Sequence, residues 1–427
     1  MPEGDELLRF ARAKERWKFK ATPPFHIEPP VRDAKQLARL FTGRRAELSR
    51  VILPIYNGRN ILVRGMLGVG KSAFILRVLH ELDAQAKAAK DKLLPIYIYH
   101  FYGGTTDDFY RFILFALAQV LADKDEEAKS ILEALRGVKV TASRSRGIGG
   151  KIGVHIYQVV EAEISAEAKG ETAREVTLAN PFDFLERFLE QAYKRFGRLV
   201  IAVDDLDKAR PENLRLVQAM LQGALPLLRN ERIGFILTGI TLPLAQLAAF
   251  DLYGSMLGLF DEALQLKVLS PEELREIAVK TLNLVRSQDR DDPYPFSGEA
   301  IAEAAARSHG IPRLFNIICA RTLEQAALQG IDYIDASAFA RCYEAIQFGV
   351  SAQVTPQMRA VLTVAKNYGG FSSEMPDEAL DQLGFTTFVE LMPLADYLVA
   401  NDLMVRQEYE GGVRYTVSDI AAKVGED

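Results

Sequence analysis

Eight residues, Gly65 to Ser72, constrain the fold of this chain more than any other segment. Their sequence, GMLGVGKS, follows an apolar run over 60–64 that predicts a β-strand, and it precedes a helical pattern over 73–80. The glycines allow backbone N–H groups to turn inward around an anion. Because a helix starts here, its dipole and its unpaired N–H groups also favour negative charge. The strand, turn and helix together predict a polyphosphate site.

The residue types within this turn indicate separate roles. Lys71 is expected to reach the β- and γ-phosphates of a nucleotide, and the Ser72 hydroxyl to ligate Mg²⁺. The rest of the phosphate cradle is expected to come from Gly65, Leu67, Gly68, Val69 and Gly70. The alternative interpretation is a glycine-rich turn with a chance Lys-Ser, which the strand and helix on either side disfavour.

A second apolar run, 199–203, ends in the carboxylates of Asp204 and Asp205. A buried strand with this ending aims Asp204 at the Mg²⁺ shell of Ser72, and Asp205 is placed to orient or deprotonate an attacking water. Many related sites have glutamate at the second position. Since aspartate reaches less far, we expect slow hydrolysis, as in a switch. An apolar strand with a polar end is the alternative interpretation.

Three further segments contain candidate nucleotide contacts. The sequence Phe-Thr-Gly-Arg at 41–44 can place Gly43 and Arg44 around a base and a sugar. Thr238 ends another predicted strand and is a candidate partner of the γ-phosphate or the attacking water, although a strand cap is the simpler interpretation. Arg313 follows a Gly-Ile-Pro helix start, from which its guanidinium can bind the γ-phosphate and report whether ATP or ADP is present.

A basic segment interrupts the chain between these motifs. Residues 136–155 contain five basic residues, no acidic residue and five glycines. Alternating residues after them predict a β-hairpin, so 136–178 is interpreted as an inserted loop and hairpin. Arg144, Arg146 and Lys151 are candidate nucleic-acid contacts, because Lys and Arg neutralise phosphates. A solvated insertion without a ligand is the alternative.

Both ends of the chain carry helical patterns with uneven charge. Residues 6–20 form a basic amphipathic pattern before a proline-broken arm, which indicates either a docking arm or a helix packed on the protein's own core. Residues 351–427 have the helix and hairpin order of a small winged helix. From position 352 onward, 5 basic and 12 acidic residues give a balance of −7, which would repel DNA and favours a protein partner.

The composition limits the class of protein. The chain has 427 residues, a net charge of −5 and two cysteines, Cys319 and Cys342, without a metal-ligand or redox spacing. Buried thiols in a reducing compartment are expected. No apolar stretch reaches membrane-spanning length and no signal peptide is visible, so we expect a cytoplasmic protein without membrane contact.

Taken in order, these segments resemble the AAA+ ATPases of the initiator type, a group that includes origin-recognition, helicase-loader and transposition-regulator proteins. The resemblance runs from about Phe41 to Asp427. It implies an α/β P-loop NTPase fold with a five-stranded parallel sheet, a helical lid, ATP and Mg²⁺ bound between them, and a C-terminal winged helix. One departure is that Ile240 to Leu266 contains no Arg or Lys, so the arginine finger that family members use is missing or comes from elsewhere.

The resemblance and the segment order predict four parts of the chain. They are an N-terminal helix and Pro-rich arm (1–40), a nucleotide-binding domain with the insertion 136–178 (41–268), a helical lid (269–350) and the winged helix (351–427). The interpretation is an oligomeric ATPase switch in a DNA transaction such as replication initiation, transposition targeting or mobile-element defence. Loop 136–155 would contact DNA, and the winged helix a protein. The alternatives are a signal-transduction NTPase without DNA contact and, less favoured, a protein-remodelling motor.

Overall fold

The chain folds into two compact units, which we describe from a computed structural model. The structure describes residues 6–20, 24–25, 34–65, 68–99, 105–122, 128–129, 158–161, 181–204, 206, 214–238, 259–345, 356–385, 387–400, 403–409 and 412–418. Unit 1 comprises Met1–Glu28, Met66–Gly70 and Lys267–Asp427, and unit 2 comprises Pro29–Gly65 and Lys71–Leu266. The boundaries of the four predicted parts remain predictions.

Unit 2 is an α/β unit built on a parallel sheet. Its described strands lie in the order β3-β2-β4-β5-β1-β6, and all neighbouring pairs are parallel. The strands are β1 (Ile61–Gly65), β2 (Leu93–Tyr99), β3 (Gln158–Glu161), β4 (Arg198–Val203), β5 (Ile233–Thr238) and β6 (Glu262–Leu266). The central strands are buried along almost their whole length, as expected where helices cover both faces of a sheet. The predicted P-loop NTPase fold is confirmed.

The sheet has one more strand than the sequence predicts. Gln158–Glu161 comes from the insertion 136–178 and pairs in parallel with β2 at the edge of the sheet. A parallel neighbour requires a crossover connection, so β3 does not follow β2 through a tight turn. The rest of the predicted loop and hairpin lies outside the described residues.

The helices of unit 2 pack their apolar faces on this sheet. They are α2 (Ala34–Leu40), α3 (Arg45–Tyr56), α4 (Lys71–Ala88), α5 (Thr106–Leu121), α6 (Pro181–Phe196), α7 (Leu214–Gly223) and α8 (Leu225–Leu228). Helix α5 begins with a capping box, in which Thr105 and Asp108 satisfy each other's backbone N–H groups. Its buried face joins Leu62, Ile201 and Phe235 in one hydrophobic core.

Unit 1 contains a helical region with its own core. Its helices are α1 (Glu6–Trp17), α9 (Pro271–Val285), α10 (Gly298–Arg307), α11 (Pro312–Gln329) and α12 (Ala336–Ala345). Trp17 of α1 is only 2% exposed and packs in this core, where its indole N–H donates to the carbonyl of Asp332 at 3.0 Å. Of the two interpretations of residues 6–20, the structure therefore favours a helix packed on the protein's own core.

The sequence predicts a helical lid over 269–350, and in the structure a loop between Val285 and Gly298 interrupts its helices by connecting α9 and α10. Buried Arg286 holds this loop by donating to Asn283 Oδ1 at 2.8 Å and to the carbonyl of Asp292 at 2.9 Å. Burial lowers the pKa of Arg286 to about 10, so the guanidinium remains charged at neutral pH. Hydrogen bonds from the buried Arg286 guanidinium thus replace the helical hydrogen bonds that the loop between α9 and α10 lacks.

The C-terminal part of unit 1 combines helices with a small antiparallel sheet of order β7-β9-β8. Its elements are α13 (Pro356–Tyr368), β7 (Phe371–Ser372), α14 (Asp377–Asp381), α15 (Phe388–Ala400), β8 (Met404–Tyr409) and β9 (Gly412–Val417). Asp396 of α15 accepts from the Tyr415 hydroxyl at 2.6 Å and from Arg406 at 3.2 Å. One acidic residue of this segment is therefore neutralised internally. The winged-helix assignment remains a prediction.

The described residues include both cysteines and most of the helices, so the expectations about buried thiols and membrane-spanning segments can be compared with the structure. Cys319 and Cys342 are both buried and free, as predicted, and burial raises the pKa of each thiol. Within the described chain, no helix combines the length and the apolar composition needed to cross a membrane.

Candidate functional site

Asp204 is the centre of a buried polar network at the carboxyl end of β4. Its side chain is fully buried, and its two carboxylate oxygens accept from different hydroxyl groups. The Tyr97 hydroxyl donates to Oδ2 at 2.6 Å, and the Thr238 hydroxyl donates to Oδ1. The backbone N–H of Asp204 donates to the carbonyl of Ile98 at 3.0 Å. Strands β2, β4 and β5 therefore converge on one carboxylate.

The register of the sheet explains this convergence. Tyr97 pairs with Ala202, and Thr238 pairs with Val63. Side chains alternate between the two faces of a strand, so Tyr97, Ala202, Asp204 and Thr238 share one face of the sheet. The neighbouring residues Ile201 and Leu237 face the hydrophobic core on the other side. Because buried polar atoms need partners, the hydroxyl groups and the carboxylate satisfy one another.

Lys71 is the first residue of α4 and lies at the end of the predicted phosphate turn. Its side chain is buried, and Nζ donates to the carbonyl of Gly65 at 2.9 Å. The ammonium group thus lies against the backbone where β1 ends. Ser72 follows on the first turn of α4 and is partly buried. Met66, Leu67 and the second acidic residue, Asp205, lie outside the described residues.

The part of the turn that belongs to unit 1 has a backbone that requires glycine. Gly68 has φ +76° and Gly70 has φ +98°, conformations that L-residues rarely adopt. A Cβ on Gly68 would lie 3.0 Å from Arg313 Cβ and 3.1 Å from Ile311 Cγ2, whereas a Cβ on Gly70 would meet no atom within 4 Å. Glycine is needed for both conformation and space at position 68, and for conformation at position 70.

Arg313 is joined to this turn through its backbone. Its N–H donates to the carbonyl of Gly68 at 3.3 Å, and it lies on the first turn of α11, as the sequence predicts. Its Nε is buried without a hydrogen-bond partner, and its guanidinium has no ion pair within the described chain. A buried donor of a cation left without an acceptor is costly, and an anionic ligand would satisfy it.

The segment 41–44 is attached to the helix that Lys71 begins. Gly43 and Arg44 have consecutive positive φ values, +69° and +58°, immediately before α3. Arg44 is 8% exposed and lies 4.0 Å from a carboxylate oxygen of Glu47. The guanidinium of Arg77 from α4 lies over the ring of Phe41, 6.0 Å from its centre. A contact of Gly43 and Arg44 with a base and a sugar remains a prediction.

The groups present are of the types that a magnesium nucleotide needs. Polyphosphate sites use inward-turned backbone N–H groups, a lysine at a helix start and additional cations, and Mg²⁺ sites beside them use a hydroxyl and a carboxylate. Gly68, Gly70, Lys71, Ser72 and Asp204 have these properties here. The roles assigned to them from the sequence remain predictions. Arg144, Arg146 and Lys151 lie outside the described residues.

Comparison with known proteins identifies the domain that carries these groups. Residues 40–229 match the AAA ATPase domain family. This segment of the chain therefore carries an AAA ATPase domain. The AAA+ resemblance seen in the sequence is thereby confirmed. A search of curated proteins found no match.

Several solved structures are similar to this chain. Orc1 from Aeropyrum pernix, in complex with DNA, has 16% identity and a TM-score of 0.47 over 93% of this chain and 97% of that chain. Orc2 from Aeropyrum pernix, in ADPNP–ADP complexes, has 12% identity and a TM-score of 0.49 over 92% and 96% of the two chains. The Thermotoga maritima RuvB Holliday junction branch migration motor has 14% identity and a TM-score of 0.41 over 90% and 94%. Identities this low transfer no ligand or partner to this chain.

Tyr97 is a member of the polar network around Asp204 that sequence reasoning did not identify. It lies in β2, and the motif patterns of the sequence do not include it. One signal was present: a tyrosine inside a buried strand usually needs a partner for its hydroxyl. The identity of that partner depends on the pairing of β2 with β4, which no local pattern encodes.

Replacing Tyr97 by phenylalanine tests whether this hydroxyl positions Asp204. A hydrogen bond to a charged group contributes about 1.5–3 kcal/mol, so we expect the free energy of unfolding to fall by about that amount. If Asp204 serves Mg²⁺, ATP affinity in the presence of Mg²⁺ should also fall about tenfold, equivalent to about 1.4 kcal/mol. Affinity in EDTA should stay unchanged. Calorimetric titrations with Mg²⁺ and with EDTA measure the two ATP affinities, and denaturant unfolding measures the free energy of unfolding.

Tyr110→Phe is the matched control, because the buried Tyr110 hydroxyl donates to the neutral carbonyl of Gly223 at 2.9 Å. It should lower stability without changing the difference between the two titrations. Equal Mg²⁺ dependence in Tyr97→Phe and wild type would show that the Tyr97 hydroxyl serves the fold alone.

Proposed function

We propose that this AAA protein is an ATP-binding switch that hydrolyses ATP slowly and acts in a DNA transaction. The observation that carries the ATP part is the fully buried Asp204, whose carboxylate accepts from two hydroxyl groups. Lys71 belongs to the same unit, and its Nζ contacts the carbonyl of Gly65, where β1 ends. Burying a carboxylate is expensive, and its retention at the end of a central strand is expected where it serves a cation.

Each residue has a defined task in this proposal. The turn 65–70 and Lys71 hold the polyphosphate, while Ser72 and Asp204 hold Mg²⁺ directly or through its waters. When bound, Mg²⁺ neutralises charge on the phosphate oxygens. Each carboxylate oxygen has a second lone pair, so Asp204 can accept from Tyr97 and Thr238 and still face the metal. Asp205 accepts the proton of the attacking water.

Slow turnover follows from two features of the sequence. Asp205 has a shorter side chain than the glutamate that many relatives carry, which places its carboxylate farther from the water. The segment 240–266, where an arginine finger is expected, contains no Arg or Lys. An arginine finger contributes about 10³–10⁵ in rate in related phosphoryl-transfer enzymes. Without that contribution, the protein is better suited to signal its nucleotide state than to work as a motor.

Arg313 is proposed to report that state. Its backbone is bonded to Gly68 in the phosphate turn, and its buried Nε lacks a partner. A γ-phosphate would supply the missing acceptor, which ADP cannot. The nucleotide state would then change the hydrogen bonding at the start of α11. Thr238, now engaged with Asp204, is proposed to assist at the γ-phosphate or the attacking water.

The DNA part of the proposal rests on the basic loop 136–155, which has five basic residues and no acidic one in a chain of net charge −5. The acidic C-terminal segment is proposed to contact a protein, and the ATP-bound form to assemble as a homo-oligomer. A cytoplasmic location is part of the same proposal. A signalling NTPase without DNA contact is the second candidate, favoured by the balance of −7 in the C-terminal segment.

Replacing Arg144, Arg146 and Lys151 together by alanine separates these two candidates. We expect weaker binding to duplex DNA and an unchanged affinity for ATP. Each lost phosphate contact flattens the plot of log affinity against log salt by about 0.9, so three contacts flatten it by up to about 2.7. Fluorescence anisotropy of labelled duplex DNA over a range of salt, with and without ATP, measures this slope.

The control for that experiment is Arg275→Ala/Arg321→Ala/Arg359→Ala, which removes three exposed positive charges from elsewhere in the chain. It should retain the wild-type slope. If the wild-type protein with ATP shows no salt-dependent DNA binding, the signalling candidate replaces the DNA proposal. If the two triple variants lose affinity equally, loop 136–155 has no specific role.

A further inference from the structure

The amino-terminal edge of the sheet in unit 2 carries a concentration of positive charge. We define the amino edge as the five segments that enter β1, β2, β4, β5 and β6 of unit 2, at 57–60, 89–92, 197–198, 229–232 and 259–261. They contain six basic residues, Arg59, Lys90, Lys92, Arg198, Arg229 and Arg232, and three acidic residues, Asp91, Glu231 and Asp261. The balance of +3 contrasts with −5 for the whole chain.

These segments form one continuous edge. The N–H of Arg198 donates to the carbonyl of Lys92 at 3.4 Å, and the N–H of Leu199 donates to the carbonyl of Arg232 at 3.0 Å. Buried Asn60 joins the other segments, since its side-chain amide donates to the carbonyls of Leu228 and Leu259 at 2.6 and 3.2 Å. With strands about 4.8 Å apart, the edge from β2 to β6 spans about 19 Å.

Two of the three acidic residues on this edge already have partners. Asp91 accepts from the Tyr56 hydroxyl, and Asp261 accepts from the N–H of Asn60 at 3.0 Å and lies 3.6 Å from Arg59. By contrast, the charged groups of Lys90, Lys92 and Arg229 are exposed and form no hydrogen bond or ion pair within the described chain. Lys194, in the last turn of α6, is similarly exposed and unpaired in the part of the chain that the structure describes. The edge therefore has positive charge available for a ligand.

Two of the four arginines on the edge, Arg198 and Arg232, lie against aromatic rings. The guanidinium of Arg198 lies 5.6 Å from the ring centre of Tyr56 and donates to the carbonyl of Glu231 at 3.2 Å. The guanidinium of Arg232 lies 5.0 Å from the ring centre of Tyr193. A cavity of about 440 Å³ lies on the same edge and is lined by Arg59, Arg198 and Arg229, among others. Side chains held in this way lose little conformational entropy when they bind.

We infer that the amino edge of unit 2 binds the phosphate backbone of a nucleic acid. Duplex DNA carries one negative charge per about 1.7 Å of axis, so a 19 Å edge faces about eleven phosphates. A protein partner is less suited, because stable protein interfaces need an apolar centre. Among the described residues, none of the exposed large hydrophobic side chains lies in the five segments of this edge.

This inference goes beyond the proposed function, since the amino edge contains neither the phosphate turn nor loop 136–155. A nucleic acid bound here would contact the ends of the strands opposite to those that carry Asp204 and Lys71. Within unit 2 the edge contains none of the residues proposed to hold the nucleotide, so we expect binding to it to be independent of ATP.

The test uses the full chain with Lys90, Lys92, Lys194 and Arg229 replaced together by alanine, which breaks no ion pair within the described chain. Anisotropy of labelled duplex and single-stranded oligonucleotides is measured over a range of salt without nucleotide. The slope of log affinity against log salt should flatten by up to about 3.6 for duplex DNA and about 2.8 for single strands. The higher wild-type affinity at matched salt identifies the preferred form of nucleic acid.

Arg275→Ala/Arg321→Ala/Arg341→Ala/Arg359→Ala is the matched control, with the same change of net charge at exposed positions of unit 1. It should keep the wild-type slope, and both variants should keep wild-type thermal unfolding and ATP affinity. The inference is overturned if the edge variant and this control have the same slope, or if only the variant of Arg144, Arg146 and Lys151 changes it. Salt-dependent binding of the edge to polyglutamate but not to oligonucleotides would also overturn it, in favour of an acidic protein partner.

Discussion

Lys71→Ala is expected to weaken ATP binding by about 10²–10⁴-fold. The lysine is proposed to contact both the β- and the γ-phosphate, and each charge-assisted contact contributes about 1.5–3 kcal/mol. The combined loss of about 3–6 kcal/mol corresponds to that range of dissociation constants. Isothermal titration calorimetry with ATP and Mg²⁺ measures it directly.

The control for this variant is Lys87→Ala, at the other end of α4, where the lysine forms an exposed ion pair with Asp83 at 2.6 Å. It should bind ATP like the wild-type protein. Since Lys71 Nζ also donates to the carbonyl of Gly65, thermal unfolding without nucleotide should be compared for all three proteins. A stably folded Lys71→Ala variant with wild-type affinity would show that the turn 65–72 is not the nucleotide site.

Asp205→Asn is expected to leave ATP binding intact and to reduce the rate of hydrolysis by about 10²–10⁴-fold. An amide has nearly the shape of the carboxylate but cannot accept the proton of the attacking water. The expected factor is the usual contribution of a general base. Steady-state phosphate release at saturating ATP measures the rate, and calorimetry checks the affinity.

Asp204→Asn distinguishes the two acidic residues. Both oxygens of Asp204 accept hydrogen bonds, and an asparagine has only one acceptor oxygen, so one hydroxyl donor would face an amide N–H₂ group. Leaving a buried donor unpaired costs about 1–3 kcal/mol, so this variant should lose stability and Mg²⁺-dependent binding together. If Asp205→Asn hydrolyses ATP at the wild-type rate, the assignment of the general base to position 205 is wrong.

The parts of the fold that the sequence predicted correctly are those with strong local patterns. The phosphate turn lies between a strand and a helix because its glycines, its lysine and the apolar residues on both sides are adjacent in the chain. Helix α6 runs from Pro181 to Phe196, and both its apolar spacing and its proline start are local signals in the sequence. The start of α11 at Pro312 follows the same rule.

The errors of the sequence interpretation have a different origin. The pairing of strand β3 with β2 was not predicted, because alternating residues show that a segment can be a strand but not which strand it joins. The loop between α9 and α10 was interpreted as helix, because the buried contacts of Arg286 that replace helical hydrogen bonds are not visible in a periodic pattern. Propensity and periodicity do not report such tertiary contacts.

The sequence by itself therefore determined the AAA domain, its phosphate turn and the acidic end of β4, because these depend on neighbouring residues. The tertiary structure decided that Tyr97 and Thr238 hold Asp204, although Tyr97 is 107 positions away, and that α1 packs into the core of unit 1. It also decided that basic residues from separate strand entries share one edge. Strand register and side-chain alternation bring these groups together, and both are set by long-range pairing that no single segment encodes.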